Sequence, residues 1–131
     1  MKRMLLTLTV IAMLSAVVLA SNPETISLKV GQQKRAGKGE VVVKFLSVEE
    51  DSRCPVGVQC VWAGNARIKV KIGFAGGDSK VVEMNTESGP KGDQLSGWAI
   101  NLTSLTPLPT KNGKPRTPRY TATFTISRLS R

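Results

Sequence analysis

Two side chains in this sequence carry sulfur chemistry, Cys54 and Cys60. They lie in Asp51-Ser-Arg-Cys-Pro-Val-Gly-Val-Gln-Cys-Val-Trp-Ala-Gly64. A thiol pair can bridge, bind a metal or exchange electrons. A closed zinc site needs four nitrogen or sulfur ligands, and the 131-residue chain contains no histidine. Redox exchange favours Cys-x2-Cys with a neighbour that lowers a thiol pKa; here the spacing is Cys-x5-Cys and no such neighbour stands out. A Cys54–Cys60 disulfide is therefore expected. It closes a ring of about seven residues, for which chain entropy gives roughly 2 kcal/mol. That is a lock on one loop, not a staple for a whole domain. The loop reads in two ways. It is a rigid presented surface with Arg53, Pro55, Val56 and Gly57 as contact residues, or it trims a long connection and anchors Trp62 in the core.

The absence of histidine also removes the usual general base near neutral pH and the usual nucleophilic triads. Glu49, Glu50 and Asp51 form an acidic triplet. Paired carboxylates can hydrolyse glycosides, but neighbours along a strand face opposite ways. The triplet reads instead as a solvated loop in which Asp51 pairs with Arg53. It lacks the glycine-spaced oxygen ligands of a calcium loop. The glycines from Gly73 to Gly77 lack the spacing and following helix of a phosphate-binding loop. No catalytic residue, metal or cofactor is implied, and the expectation is a non-enzymatic protein.

Basic residues are the other candidates. Arg67, Lys69 and Lys71 fall on one strand face, nearly 7 Å apart by strand geometry. Lys111, Lys114 and Arg116 sit in a proline-rich loop. Both groups could meet a polyanion. No aromatic residue interleaves with the stripe, which argues against a nucleic-acid platform. The ordinary reading is a wet sheet face whose lysines discourage edge pairing. Trp62 and Trp98 are expected in the core.

The ends place the chain. Lys2 and Arg3 precede an apolar run from Met4 to Leu19, closed by Ala20. Charge, apolar run and small-residue cleavage site in that order read as a signal peptide, residues 1–20. The run is shorter than the roughly 20 residues of a membrane span. The product, residues 21–131, is expected in the periplasm or outside the cell, not spanning a membrane, in an oxidising compartment. The formal charge of +10 falls by the two residues Lys2 and Arg3, so the product stays basic.

Strand signals dominate what remains. Ala66, Ile68, Val70 and Ile72 alternate with Arg67, Lys69 and Lys71, which means one buried and one wet face. Further strands are expected at 25–30, 40–48, 79–84, 98–105 and 120–127, with a hairpin turn over 73–78. Connections are expected at 31–39, 87–94 and 107–118, the last stiffened by four prolines. No stretch has helical period. The expected fold is a single-domain, all-β antiparallel sandwich of about six to seven strands, with a small barrel as the alternative.

The segment Ser52-Arg-Cys-Pro55 with Cys60-Val-Trp-Ala-Gly64 resembles a group of small exported bacterial proteins, many of them lipoproteins. Two further segments carry the resemblance, Trp98-Ala-Ile-Asn-Leu-Thr-Ser-Leu-Thr-Pro107 and Tyr120-Thr-Ala-Thr-Phe124. The chain departs from the lipoproteins in having no lipid-acceptor cysteine at the cleavage site. The resemblance implies export, a β fold and a Cys54–Cys60 bridge, but no activity. The functional expectation is an exported binding or envelope-associated module, its partner an envelope protein or anionic polymer. Alternatives are an inhibitor presenting residues 54–60 to an exported hydrolase, a basic polyanion-binding protein, and a small carboxylate-dependent hydrolase.

Overall fold

The computed structural model describes residues 22–130; the expected signal peptide lies outside the described residues. Eight strands form: β1 (Glu24–Lys29), β2 (Gln33–Ala36), β3 (Val41–Asp51), β4 (Ala66–Phe74), β5 (Ser79–Asn85), β6 (Gly92–Leu95), β7 (Trp98–Thr106) and β8 (Thr121–Arg128). They make two four-stranded antiparallel sheets. The first runs β1-β8-β7-β6 and the second β2-β3-β4-β5. Among the described residues the fold is the expected sandwich, and no barrel closes.

Alternation explains the layering. In β4, Ala66, Ile68, Val70 and Ile72 are fully buried. They meet Ile100 and Leu102 of β7 and Ala122, Phe124 and Ile126 of β8 within one continuous core. Each sheet has one apolar face, and stacking the two removes both from water. The expected hairpin joins β4 to β5, with the Gly77 N–H donating to the Phe74 carbonyl at 3.0 Å.

Two strands were not foreseen. β2 lies inside the expected 31–39 loop, and β6 overlaps the end of the expected 87–94 loop. Both are four-residue edge strands without strong alternation. They exist because a neighbour supplies a ladder: β2 pairs with β3 and β6 with β7. Both also seal the open sides of the sandwich. The Gly37 N–H, just after β2, donates to Glu24 of β1 at 2.8 Å. Lys80 of β5 reaches Asp93 of β6 at 3.1 Å. Trp98 is in the core, as expected. Its ring lies over Gly37, where a Cβ would sit 3.0 Å from the indole. Its indole N–H donates to Glu40, and the Arg128 guanidinium lies 5.3 Å from the ring centroid.

β3 carries two register shifts, between Phe45 and Ser47 and between Val48 and Glu50. Because of them Val48 falls opposite buried Ile68, while Glu49 and Glu50 are both exposed. The alternation expected for the acidic triplet fails at these bulges.

Candidate functional site: the bridged hairpin tip and its base

β3 and β4 are one long hairpin, and the cysteine segment is its connection. The ladder continues beyond the strands. Ser52 N–H donates to the Asn65 carbonyl at 2.8 Å, and Cys54 N–H to the Ala63 carbonyl at 3.0 Å. Residues 55–62 form the tip. The Cys54–Cys60 disulfide is present, with Cα atoms 5.9 Å apart. Gly64 has φ +71°, and a Cβ there would run into the Ser52 carbonyl oxygen. Only glycine lets the two arms approach this closely.

Arg53 corrects the first expectation. It is not exposed with the tip; it is buried, at 8% exposure, in the wall of a groove that Leu102 and Leu105 also line. Its Nε and Nη2 donate to the two Asp51 carboxylate oxygens, each at 2.8 Å. Nη1 donates to the Leu105 carbonyl, and Nη2 also reaches the Pro107 carbonyl at 2.8 Å. Tyr120 donates its hydroxyl to Asp51 at 2.7 Å. One guanidinium thus joins the end of β3, the end of β7 and the start of the proline loop, while Tyr120 adds the entry to β8. The bidentate fork is what makes arginine suited to this position.

Asp51 pairs with Arg53 as expected, but it is buried, not part of a solvated loop. Burial by itself would raise its carboxyl pKa. The hydrogen bonds from Arg53 and Tyr120, with the guanidinium charge, outweigh that and hold it below its ordinary value. Burial, then donation to Asp51, pushes the Tyr120 phenol up to about 12. Asp51 is therefore ionised and Tyr120 protonated across the whole neutral range. Glu49 and Glu50 lie on the outer face near Lys69 (4.0 Å) and Arg67 (3.7 Å). A shallow hollow of about 150 Å³ brings the triplet beside Lys114 and Tyr120.

A second polar cluster closes the other side of the base. Asn65 donates to Asn85 at 2.9 Å and accepts from the Glu87 and Ser88 N–H groups at 3.0 Å each. The Asp51, Arg53, Asn65 and Asn85 side chains at the base thus have partners, while Arg67 Nε is buried without one.

The tip is different. Trp62 is 82% exposed and Val61 91% exposed, so the expectation that the bridge anchors Trp62 in the core is overturned. Val56 is 58% exposed and Gly57 is also exposed, while Pro55 is half-buried. These remain at the surface as expected. The proline loop supports the tip from one side. The Val56 N–H donates to the Pro109 carbonyl at 2.9 Å, and Lys111 passes beneath Gly57. Between tip and β7 lies a groove of about 400 Å³, floored by Leu102 and Leu105 and edged by Ala63 and exposed Leu108.

Of the basic candidates, Lys111, Lys114 and Arg116 are exposed on the proline loop, at the same end as the tip. Arg67, Lys69 and Lys71 face outward on β4 as expected, away from the groove beneath the tip. Tyr120 was not expected as the partner of Asp51. Its position at the head of an alternating strand marked it only as core.

Compared with known proteins, the chain matches no family model, no curated protein and no solved structure.

Proposed function

We propose that this chain is an exported, non-enzymatic binding module whose contact element is the hairpin tip, residues 55–62. The observation that carries this is an indole standing in water, at 82% exposure, on a loop held by a disulfide, a backbone ladder and a buried arginine. Trp62 with Val61 and Val56 contributes little to the core, so the fold gives no reason for apolar residues there. Large aromatic anchors supply most of the energy at protein interfaces. A loop already fixed in shape loses less entropy when a partner covers it. The fitting partner is a protein of the cell envelope with an apolar pocket.

The non-enzymatic part rests on composition and on the occupied base cluster. The chain has no histidine, and both oxygens of the buried Asp51 carboxylate are already taken by Arg53 and Tyr120. The exported part rests on the apolar run from Met4 and on a disulfide that persists in oxidising compartments.

The test is capture from envelope extract by wild type, Trp62→Ala and Val81→Ala, the last removing an exposed apolar side chain of β5. Support is one protein retained by wild type and Val81→Ala and lost by Trp62→Ala, with binding reconstituted from purified components. Equal retention by all three, or no retained protein, overturns the reading.

A further inference from the structure

The outer face of the second sheet is divided by charge. Toward the hairpin tip, Lys69 and Arg67 have Glu49 and Glu50 within 4.0 Å, and Glu83 sits opposite Lys69 across the β4–β5 ladder. Toward the other end the cations have no acid. Lys44 of β3 pairs directly with Lys71 of β4 in the register. Gln33 of β2 is opposite Lys44, and Arg35 lies two residues along the same face. Val81 of β5 is opposite Lys71. Among the described residues, none of Lys44, Lys71 and Arg35 forms an ion pair. Lys44 and Lys71 flank a groove of about 250 Å³, with Gln33 and Ser79 also in its wall and no carboxylate.

Like charges placed directly across two strands repel, and sheets avoid them when nothing is gained. Here the repulsion coincides with a concave site and two neutral hydrogen-bonding side chains. That combination suits an oxyanion, which would relieve the repulsion and accept from both ammonium groups. We propose that this groove binds the sulfate or phosphate groups of a linear anionic polysaccharide or cell-wall polymer. A polymer is favoured over a free ion on physical grounds. The site is open to solvent, where each single charge contact is weak. Useful affinity needs several contacts at once, and Arg35 extends the cation row beyond the lysine pair. The face carries no aromatic side chain on which a nucleic-acid base could stack. This surface is distinct from the hairpin tip, so it stands or falls separately.

The experiment uses immobilised heparin as the sulfated chain. Wild type is compared with Lys44→Gln/Lys71→Gln and with Lys111→Gln/Lys114→Gln, which removes the same charge from the proline loop. The expected result is salt-sensitive retention of wild type, with a log–log salt slope lower by about one to two in the groove variant. The proline-loop variant should keep most of that slope. Equal losses in both variants would mean net charge alone acts, and no retention of wild type would mean no site; either overturns the proposal. Three soluble competitors separate the sources. Heparin fragments displacing the protein supports it. Inorganic phosphate displacing it at equal anion concentration, or tighter binding to a thymidine oligonucleotide or to phosphatidylglycerol vesicles, overturns it. Thermal unfolding of the groove variant at or above the wild-type temperature, as relief of the lysine repulsion predicts, ensures that a loss of retention is not a loss of fold.

Discussion

Arg53 and Trp62 lie nine residues apart on the same hairpin connection and obey opposite rules. Arg53 is the most polar side chain of the segment, and it is buried. Trp62 is among the most apolar, and it stands in water. At the base, charge is tolerated because every strong group has a partner: two carboxylate oxygens, two carbonyls and a phenol are joined around one guanidinium. At the tip, shape is maintained without a core, by covalent and backbone links to Cys54, Ala63 and Pro109. The lesson is that the base does the folding work, which leaves the tip free to expose what a partner would cover.

The largest expected effect comes from removing the guanidinium. Arg53→Ala leaves Asp51 buried without its counter-charge and two carbonyls without a donor. A loss of about 3–5 kcal/mol is expected in urea unfolding. A loss below about 1 kcal/mol would mean water satisfies the base and the contrast with the tip is false.

Opening the ring comes next. Cys54→Ser with Cys60→Ser should cost about 2 kcal/mol through the freed unfolded chain. If the tip is held mainly by the bridge, amide exchange should rise at residues 55–62 and stay slow in β3 and β4. Fast exchange across both strands would show that base and tip are not separable.

Tyr120→Phe removes one hydrogen bond to a carboxylate, worth about 1.5–3 kcal/mol. The same cluster sets a pH profile. The Asp51 carboxyl is lowered in the fold, so its contribution is full above its ordinary value of 3.8 and is lost as pH falls through the folded value. The Tyr120 phenol is raised from 10.0 to about 12. Its contribution is full below pH 10 and is lost as pH rises toward 12. Thermal unfolding against pH should show both edges in wild type. The alkaline edge should weaken in Tyr120→Phe.

The smallest effect is expected at the tip. Trp62→Ala should change stability by less than about 0.5 kcal/mol, because the side chain has little contact to lose. A cost of 2 kcal/mol or more would place the indole against the fold in solution and remove the argument for a contact surface.

Much of the fold was legible from residue types. The alternation in β4 and β8 identified their inward faces, and glycine and aspartate marked the β4–β5 turn. β2 and β6 were not legible, since a four-residue edge strand has too few side chains to show a period and forms only because β3 and β7 offer hydrogen bonds. The bulges in β3 were equally hidden. Glu49 and Glu50 look like opposite-facing neighbours until the register with Lys69 and Arg67 is known. At the site, the cysteine pairing was readable, but the burial of Arg53 and the exposure of Trp62 ran against composition rules for each residue type.

Sequence by itself determined what depends on local chemistry: strand faces from period-2 alternation, turns from glycine and proline, and a bridge from two thiols in a short ring. Only the tertiary structure decided what depends on distant partners. Arg53 is buried because Asp51 meets it locally and the Leu105 and Pro107 carbonyls arrive from the far end of β7. Trp62 stands exposed on the connection between β3 and β4, outside the ladder of either sheet. Lys44 and Lys71 meet because one register places them opposite each other. Burial and juxtaposition are properties of the pairing between segments, and no single segment encodes them.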